Sequence, residues 1–266
     1  MNWPRIITAA VLAFAVITLI LTVSDFWFDL ICGCIVILAL WEWSLLKRQS
    51  LTVFLLSTVP IAVLVFRGRE YPDLLMALCL LSSLAWITIG IDLIVNRLDS
   101  FHSVINSYAT GLILMSGAWS ALALMHGWAN VGPQFVISVL LMVWAADTFA
   151  YFAGKSFGHR KLVPALSPGK TIQGVFGGVA GTLALAWAAG FAILNLGEGQ
   201  WFSWLGLGLV IAAVSVIGDL YESRLKRLAG VKDSGRILPG HGGILDRIDS
   251  MIAALPIAAA GWSLVR

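Results

Sequence analysis

Charge is scarce in this sequence. Only 12% of its 266 residues are Asp, Glu, Lys or Arg, about half the roughly 25% of an ordinary soluble domain. With 59% of the chain hydrophobic, a water-facing surface could not hide so much apolar area, which excludes a soluble globular protein. Cysteine is rare too. Cys32, Cys34 and Cys79 all fall inside apolar stretches, where cysteines act as packing residues rather than ligands or disulfide partners. There is no internal repeat, no low-complexity linker and no Walker-type phosphate loop, so a P-loop nucleotide site is excluded as well.

What is present is a series of apolar blocks. A membrane-crossing helix needs roughly 20 mostly apolar residues. Nine stretches meet that need: 6–23, 28–46, 51–66, 74–95, 103–125, 135–152, 172–196, 201–220 and 245–264. The third is short and the last two have polar inner ends, so eight or ten spans are the alternatives. Block 6–23 is too long for the apolar core of a secretory signal, and no small-residue cleavage site follows it, so it reads as the first span. The expected fold is an all-α integral membrane protein of about nine transmembrane helices. It forms one polytopic domain over 1–266, with N-terminal helices in 1–134 and catalytic helices and inner loops in 135–266.

The basic residues orient it. With the amino terminus inside, 14 of the 17 Lys and Arg residues fall on the inner side, leaving Arg67, Arg69 and Arg266 outside. Excess Lys and Arg in short loops marks the cytoplasmic face. The expectation is therefore a multi-pass protein of the cell inner membrane, amino terminus cytoplasmic and carboxyl terminus outside. Two larger inner loops, 153–171 and 221–246, hold most of the polar residues suited to chemistry.

Four acids interrupt the apolar blocks near their inner ends: Glu42, Asp92, Asp147 and Asp219. A carboxylate in hydrocarbon costs roughly 3 kcal/mol, so it has a partner or a function. Pairing with nearby cations and participation in a site are both open for Glu42 and Asp92. For Asp147 and Asp219 the neighbouring residues favour the site.

The segment 218–250 carries the strongest local signal, GDLYESRLKRLAGVKDSGRILPGHGGILDRIDS. Lys226, Arg227, Lys232, Arg236 and Arg247 alternate with Asp219, Glu222, Asp233, Asp246 and Asp249. Lys and Arg suit phosphate oxygens. The Pro239-Gly240-His241-Gly242-Gly243 run permits close backbone approach just before a helix start, which favours an anion. Asp246 and Asp249 are three apart and share a helix face. Carboxylates beside a phosphate-binding cluster suit Mg²⁺, a hard ion that takes oxygen ligands. His241 could bind phosphate, move a proton or pack. The glycines of GVFGGVAG, 174–181, read as helix-packing positions. The chemistry so far is a metal-assisted nucleotide or polyphosphate site at a membrane surface.

This run resembles the signature of the phosphatidate cytidylyltransferases, the CDP-diacylglycerol synthases. The matching positions are Ser223, Lys226-Arg227, Lys232-Asp233, Gly235, Leu238-Pro239, His241-Gly242-Gly243, Asp246-Arg247 and Asp249. Upstream, Asp147-Thr148 with Tyr151, Gly158, Lys161-Leu162, Pro164, Ser167-Pro168 and Lys170-Thr171 look like a second block of the family. Many members carry a lysine at the position of Gly169 and a glutamate at that of Gln173; this chain departs from them at both. The resemblance is strong from Val143 onward. In the first half it is loose, resting on Trp41-Glu42-Trp43 and the helix pattern.

The resemblance implies the reaction CTP plus phosphatidate giving CDP-diacylglycerol and pyrophosphate, with Mg²⁺ as cofactor and a pair of metal ions as an open variant. It implies Asp219, Asp246, Lys226 and Asp147 as catalytic residues, and Asp219, Asp246 and Asp249 as metal ligands. Arg227, Lys232, Arg236, His241, Arg247, Ser223, Ser167, Lys170 and Thr171 would bind substrate. The partners implied are CTP, phosphatidate and membrane lipid, with no nucleic acid; a homodimer is left open. The competing readings are an ion-coupled transporter that uses the intramembrane acids, and a cytidylyltransferase acting on another lipid phosphate.

Overall fold

The apolar blocks fold as helices. A computed structural model describes residues 3–95, 107–235, 237 and 242–265, without the side chains of 3–12 and 265. Among these residues there are nine α-helices and one β-hairpin. The first five helices are α1 (Trp3–Thr22), α2 (Asp25–Leu46), α3 (Leu51–Arg67), α4 (Pro72–Val95) and α5 (Tyr108–His126). They are followed by α6 (Gly132–Phe157), strands β1 (Lys161–Val163) and β2 (Ser167–Thr171), α7 (Ile172–Ala192), α8 (Trp201–Ala229) and α9 (Leu245–Val265). Seven of them, α2 to α8, are long and apolar enough to cross a membrane. The protein is an all-α, multi-pass membrane protein.

Two differences from the sequence reading bear on the site. Helix α8 runs on to Ala229, nine residues past the expected end at 220. Its charged tail is therefore helix, and Lys226 and Arg227 stand on it rather than in a loop. The helix stops at Gly230, whose φ of 74° is the left-handed conformation that ends helices. The other inner loop contains the antiparallel β1–β2 hairpin, pairing Lys161 with Thr171 and Val163 with Ser167.

The core lies where α5 and α9 pass among their neighbours. Trp119, Leu114 and Met115 of α5 are fully buried, as are Ala253, Ala254, Ala258 and Ala259 of α9. Helices α6 and α7 meet along the glycines of 174–181. A Cβ on Gly178 would stand 2.8 Å from the Ala146 carbonyl oxygen, and one on Gly177 would overlap Ala153. Only hydrogen fits there, which is why this stretch packs as expected.

Helix α2 contains 22 residues, which at about 1.5 Å each makes roughly 33 Å, the thickness of a bilayer core. Its two ends meet different polar groups. At its start, Arg69 donates from Nη2 to Asp29 Oδ1 at 2.9 Å and lies 3.2 Å from Asp25 Oδ2, while His126 Nδ1 is 2.7 Å from Asp25 Oδ1. The same end holds an aromatic nest in which Phe135 of α6 packs on Trp204 of α8 and Trp262 of α9. Trp204 Nε1 also donates to Ala186 O on α7 at 2.7 Å. The other end of the bundle carries the candidate site.

Candidate active site

A cavity of about 550 Å³ lies between α6, the hairpin, α7 and α8. Its back wall is small and apolar, and its polar lining includes Asp147, Asp219, Lys155, Lys161 and Lys170. The hairpin that brings two of the lysines is held at its base. The Thr171 hydroxyl accepts from Gly174 N at 3.1 Å and caps α7. Gln173 Oε1 accepts from His159 N at 3.1 Å and from Arg160 N at 3.3 Å. A carboxylate at 173 could accept the same two bonds, so the departure there preserves the contact. Gly169 lines the cavity with open space where a Cβ would stand.

Asp147 and Asp219 line the cavity, and Asp249 lies near them without lining it. Lys170 Nζ lies 2.6 Å from Asp219 Oδ2, and the Ser223 hydroxyl donates to Asp219 Oδ1 at 3.3 Å. Asp147 and Asp249 lie within electrostatic reach of Asp219 and of Lys170. Ser250 links the helices: its backbone N donates to Asp249 Oδ1 at 2.8 Å. Its hydroxyl donates to Ser215 O at 3.2 Å and faces Asp147 Oδ1 at 3.5 Å. Among the described residues, no three His, Cys, Asp or Glu side chains converge into a ready metal cage. Mg²⁺ does not need one, because it keeps several waters and is typically held by one or two carboxylates together with substrate phosphates. The carboxylates of Asp147 and Asp219 offer such oxygens, and a metal on Asp219 Oδ2 would take the place of Lys170 Nζ.

Asp246 belongs to a second network. Its Oδ1 is 2.6 Å from Lys226 Nζ. Its Oδ2 accepts from Ser234 N at 2.9 Å and from Gly243 N at 2.8 Å, with the Ser234 hydroxyl at 3.0 Å. Lys226 also pairs with Glu222 at 2.5 Å. The two acids expected to share metal ions, Asp219 and Asp246, are thus engaged by different lysines. A metal at Asp246 would have to displace Lys226 or a backbone N–H.

The remaining expected residues separate similarly. Ser167, Lys170 and Thr171 line the cavity. Arg227, Lys232 and Arg247 are exposed on the same end of the bundle. Arg236 and His241 lie outside the described residues. Lys155 and Lys161, not singled out as substrate-binding from the sequence, line the cavity. Lys155 was present only as part of a basic loop and Lys161 as a position of the resemblance; the helix end and hairpin that aim them were not foreseen. Of the other intramembrane acids, Asp92 pairs with Arg224 at 3.0 Å, with both side chains buried. Glu42 accepts backbone N–H groups at the start of α9.

Fold and site together define a membrane-embedded enzyme with a cavity lined by lysines and acids at one end of a helical bundle. The chain belongs to the cytidylyltransferase family, whose model matches residues 3–265. It is 40% identical over 269 residues to a phosphatidate cytidylyltransferase of Pseudomonas aeruginosa, covering 97% of each chain. It is 35% identical over 277 residues to one of Haemophilus influenzae, covering 95% of each. A Staphylococcus aureus phosphatidate cytidylyltransferase is 42% identical over 146 residues, 54% of this chain and 55% of that one.

Proposed function

We propose that this protein is a phosphatidate cytidylyltransferase that converts CTP and phosphatidate into CDP-diacylglycerol and pyrophosphate. The observation that carries the reading is the Lys170–Asp219 pair in a cavity lined by further lysines. It is supported by relatives of that name aligned over nearly the whole chain. An oxygen of the lipid phosphate attacks the α-phosphorus of CTP. The new P–O bond forms as the bond to the β-phosphate oxygen breaks, and pyrophosphate leaves. The attacking oxygen is already ionised, so the demand on the protein is positioning and charge neutralisation rather than proton removal.

In this reading Lys155, Lys161 and Lys170 hold phosphate oxygens, and Asp147, Asp219 and Asp249 balance their charge. These acids would also hold Mg²⁺, which supplies electrophilic stabilisation of the phosphates. The exposed Arg227, Lys232 and Arg247 would draw the CTP tail to the site. The basic end then faces the cytoplasm, a reading that the bias of Lys and Arg toward that end supports. All nine helices span the inner membrane, with the carboxyl terminus outside. An ion path along the intramembrane acids is disfavoured, because Glu42 and Asp92 are engaged in buried contacts.

The test uses purified protein in detergent with labelled CTP, phosphatidate and Mg²⁺. Pyrophosphate release that requires both substrates is the expected result. Release from CTP without the lipid, or none with it, would refute the assignment.

A further inference from the structure

Glu42 is 1% exposed and sits near the end of α2, outside the cavity. Among the described residues its carboxylate forms no ion pair with a lysine or arginine. It accepts instead from Ile244 N at 3.0 Å on Oε1 and from Leu245 N at 2.8 Å on Oε2. Those are the first N–H groups of α9, which no earlier helical turn can satisfy. Residue 244 is isoleucine, which has no side-chain oxygen to cap them. A carboxylate from a helix some 200 positions away therefore does the capping, and its charge suits the positive end of α9.

The same carboxylate reaches into the second network. The Ser234 hydroxyl lies 2.9 Å from Glu42 Oε2 and 3.0 Å from Asp246 Oδ2, and donates its one hydrogen to either. Asp246 in turn holds Lys226 Nζ at 2.6 Å. The loop closes tightly on Glu42: a Cβ at Gly243 would collide with its carboxylate. Contacts therefore run unbroken from α2 through Ser234 and Asp246 to Lys226 on α8.

We propose that Glu42 is a positioning residue for the reaction, holding the loop before α9 so that Ser234, Asp246 and Lys226 keep their arrangement beside the cavity. This rests on the cytidylyltransferase reading. Glu42→Gln is the discriminating change, because it keeps size and loses charge. An amide has one acceptor oxygen, and its NH₂ would confront an N–H donor.

The test compares Glu42→Gln, Glu42→Asp, Ser234→Ala and the Glu42→Gln/Ser234→Ala pair, purified and assayed per folded molecule. Misplacing reacting groups costs about 10- to 100-fold in turnover, and Glu42→Gln is expected to lose that much in kcat. Glu42→Asp should retain more, because it keeps a carboxylate. The double variant should be no slower than the slower single one, since both changes interrupt one chain of contacts. Amide exchange at 242–246 should rise in Glu42→Gln while α5 keeps its protection.

A kcat within about two-fold of the parent, well below the loss expected for a misplaced reacting group, would overturn the proposal. So would losses that multiply in the double variant, or unchanged exchange at 242–246. If the parent protein itself fails to release pyrophosphate, the assigned reaction falls instead, and amide exchange still reports whether Glu42 holds the loop.

Discussion

Lys170 and Asp219 come from different elements, strand β2 and helix α8, and meet at 2.6 Å inside the cavity. Removing a group that stabilises developing charge costs about 100- to 1,000-fold in turnover. Asp219→Asn is expected to lose about that much while keeping its thermal midpoint in detergent. Lys170→Met should fall similarly, and Lys170→Arg should recover part of the loss by restoring the cation. Near-normal turnover of Asp219→Asn at saturating Mg²⁺ would remove this pair from the mechanism.

The cavity wall predicts opposite outcomes at two glycines. Gly178→Leu places a side chain against the Ala146 carbonyl, and overpacking of this kind costs about 1–3 kcal/mol. Its thermal midpoint in detergent should drop, and turnover with it. Gly169→Lys enters open space and should leave the midpoint unchanged, with KM for CTP equal or lower. A Gly169→Lys protein that melts early would show that the hairpin is packed more closely than the structure has it.

The proposed orientation is tested by cysteine labelling in a Cys34→Ser background, since Cys34 is the exposed one of the three native cysteines. Ser156→Cys and Asp233→Cys, both at exposed positions of the cavity end, should resist an impermeant thiol reagent applied to intact cells. Tyr71→Cys, exposed near Arg69 at the opposite end, should react. Ser234 is unsuitable as a probe despite its place in a polar loop, because it is buried against Asp246 and Glu42. Labelling of the first pair from outside would invert the topology.

Each of the nine apolar blocks overlaps a helix, and seven of those helices are long and apolar enough to cross a membrane, because hydropathy reports directly on what hydrocarbon tolerates. Helix ends were less legible where charge and helix coincide. The tail of α8 reads as a loop by composition, yet Tyr221 and Leu225, four apart, face the core while Arg224 meets Asp92. The cavity-side lysine and threonine, Lys170 and Thr171, were legible from the resemblance. The division between the Asp219 and Asp246 networks was not. It depends on which lysine reaches which carboxylate across helices, and residue spacing along the chain does not encode that. Glu42 stood out as an acid in an apolar block, but its partners are backbone N–H groups, which leave no mark in the side-chain pattern.

The clasp of Arg69, Asp25, Asp29 and His126, with the nest around Trp204 and Trp262 beside it, gives this bundle a fulcrum. Helices α2 and α5, and α6 to α9, are fastened at the end away from the cavity. The cavity end is tied as well, by Glu42 to α9 and by Lys226 to Asp246, so a tilt about the fulcrum would have to loosen those contacts. For a helix of roughly 33 Å, a tilt of about 5° carries the far end about 3 Å. On the proposed reaction, any such tilt would be largest at the end where a two-tailed lipid enters and a larger product leaves.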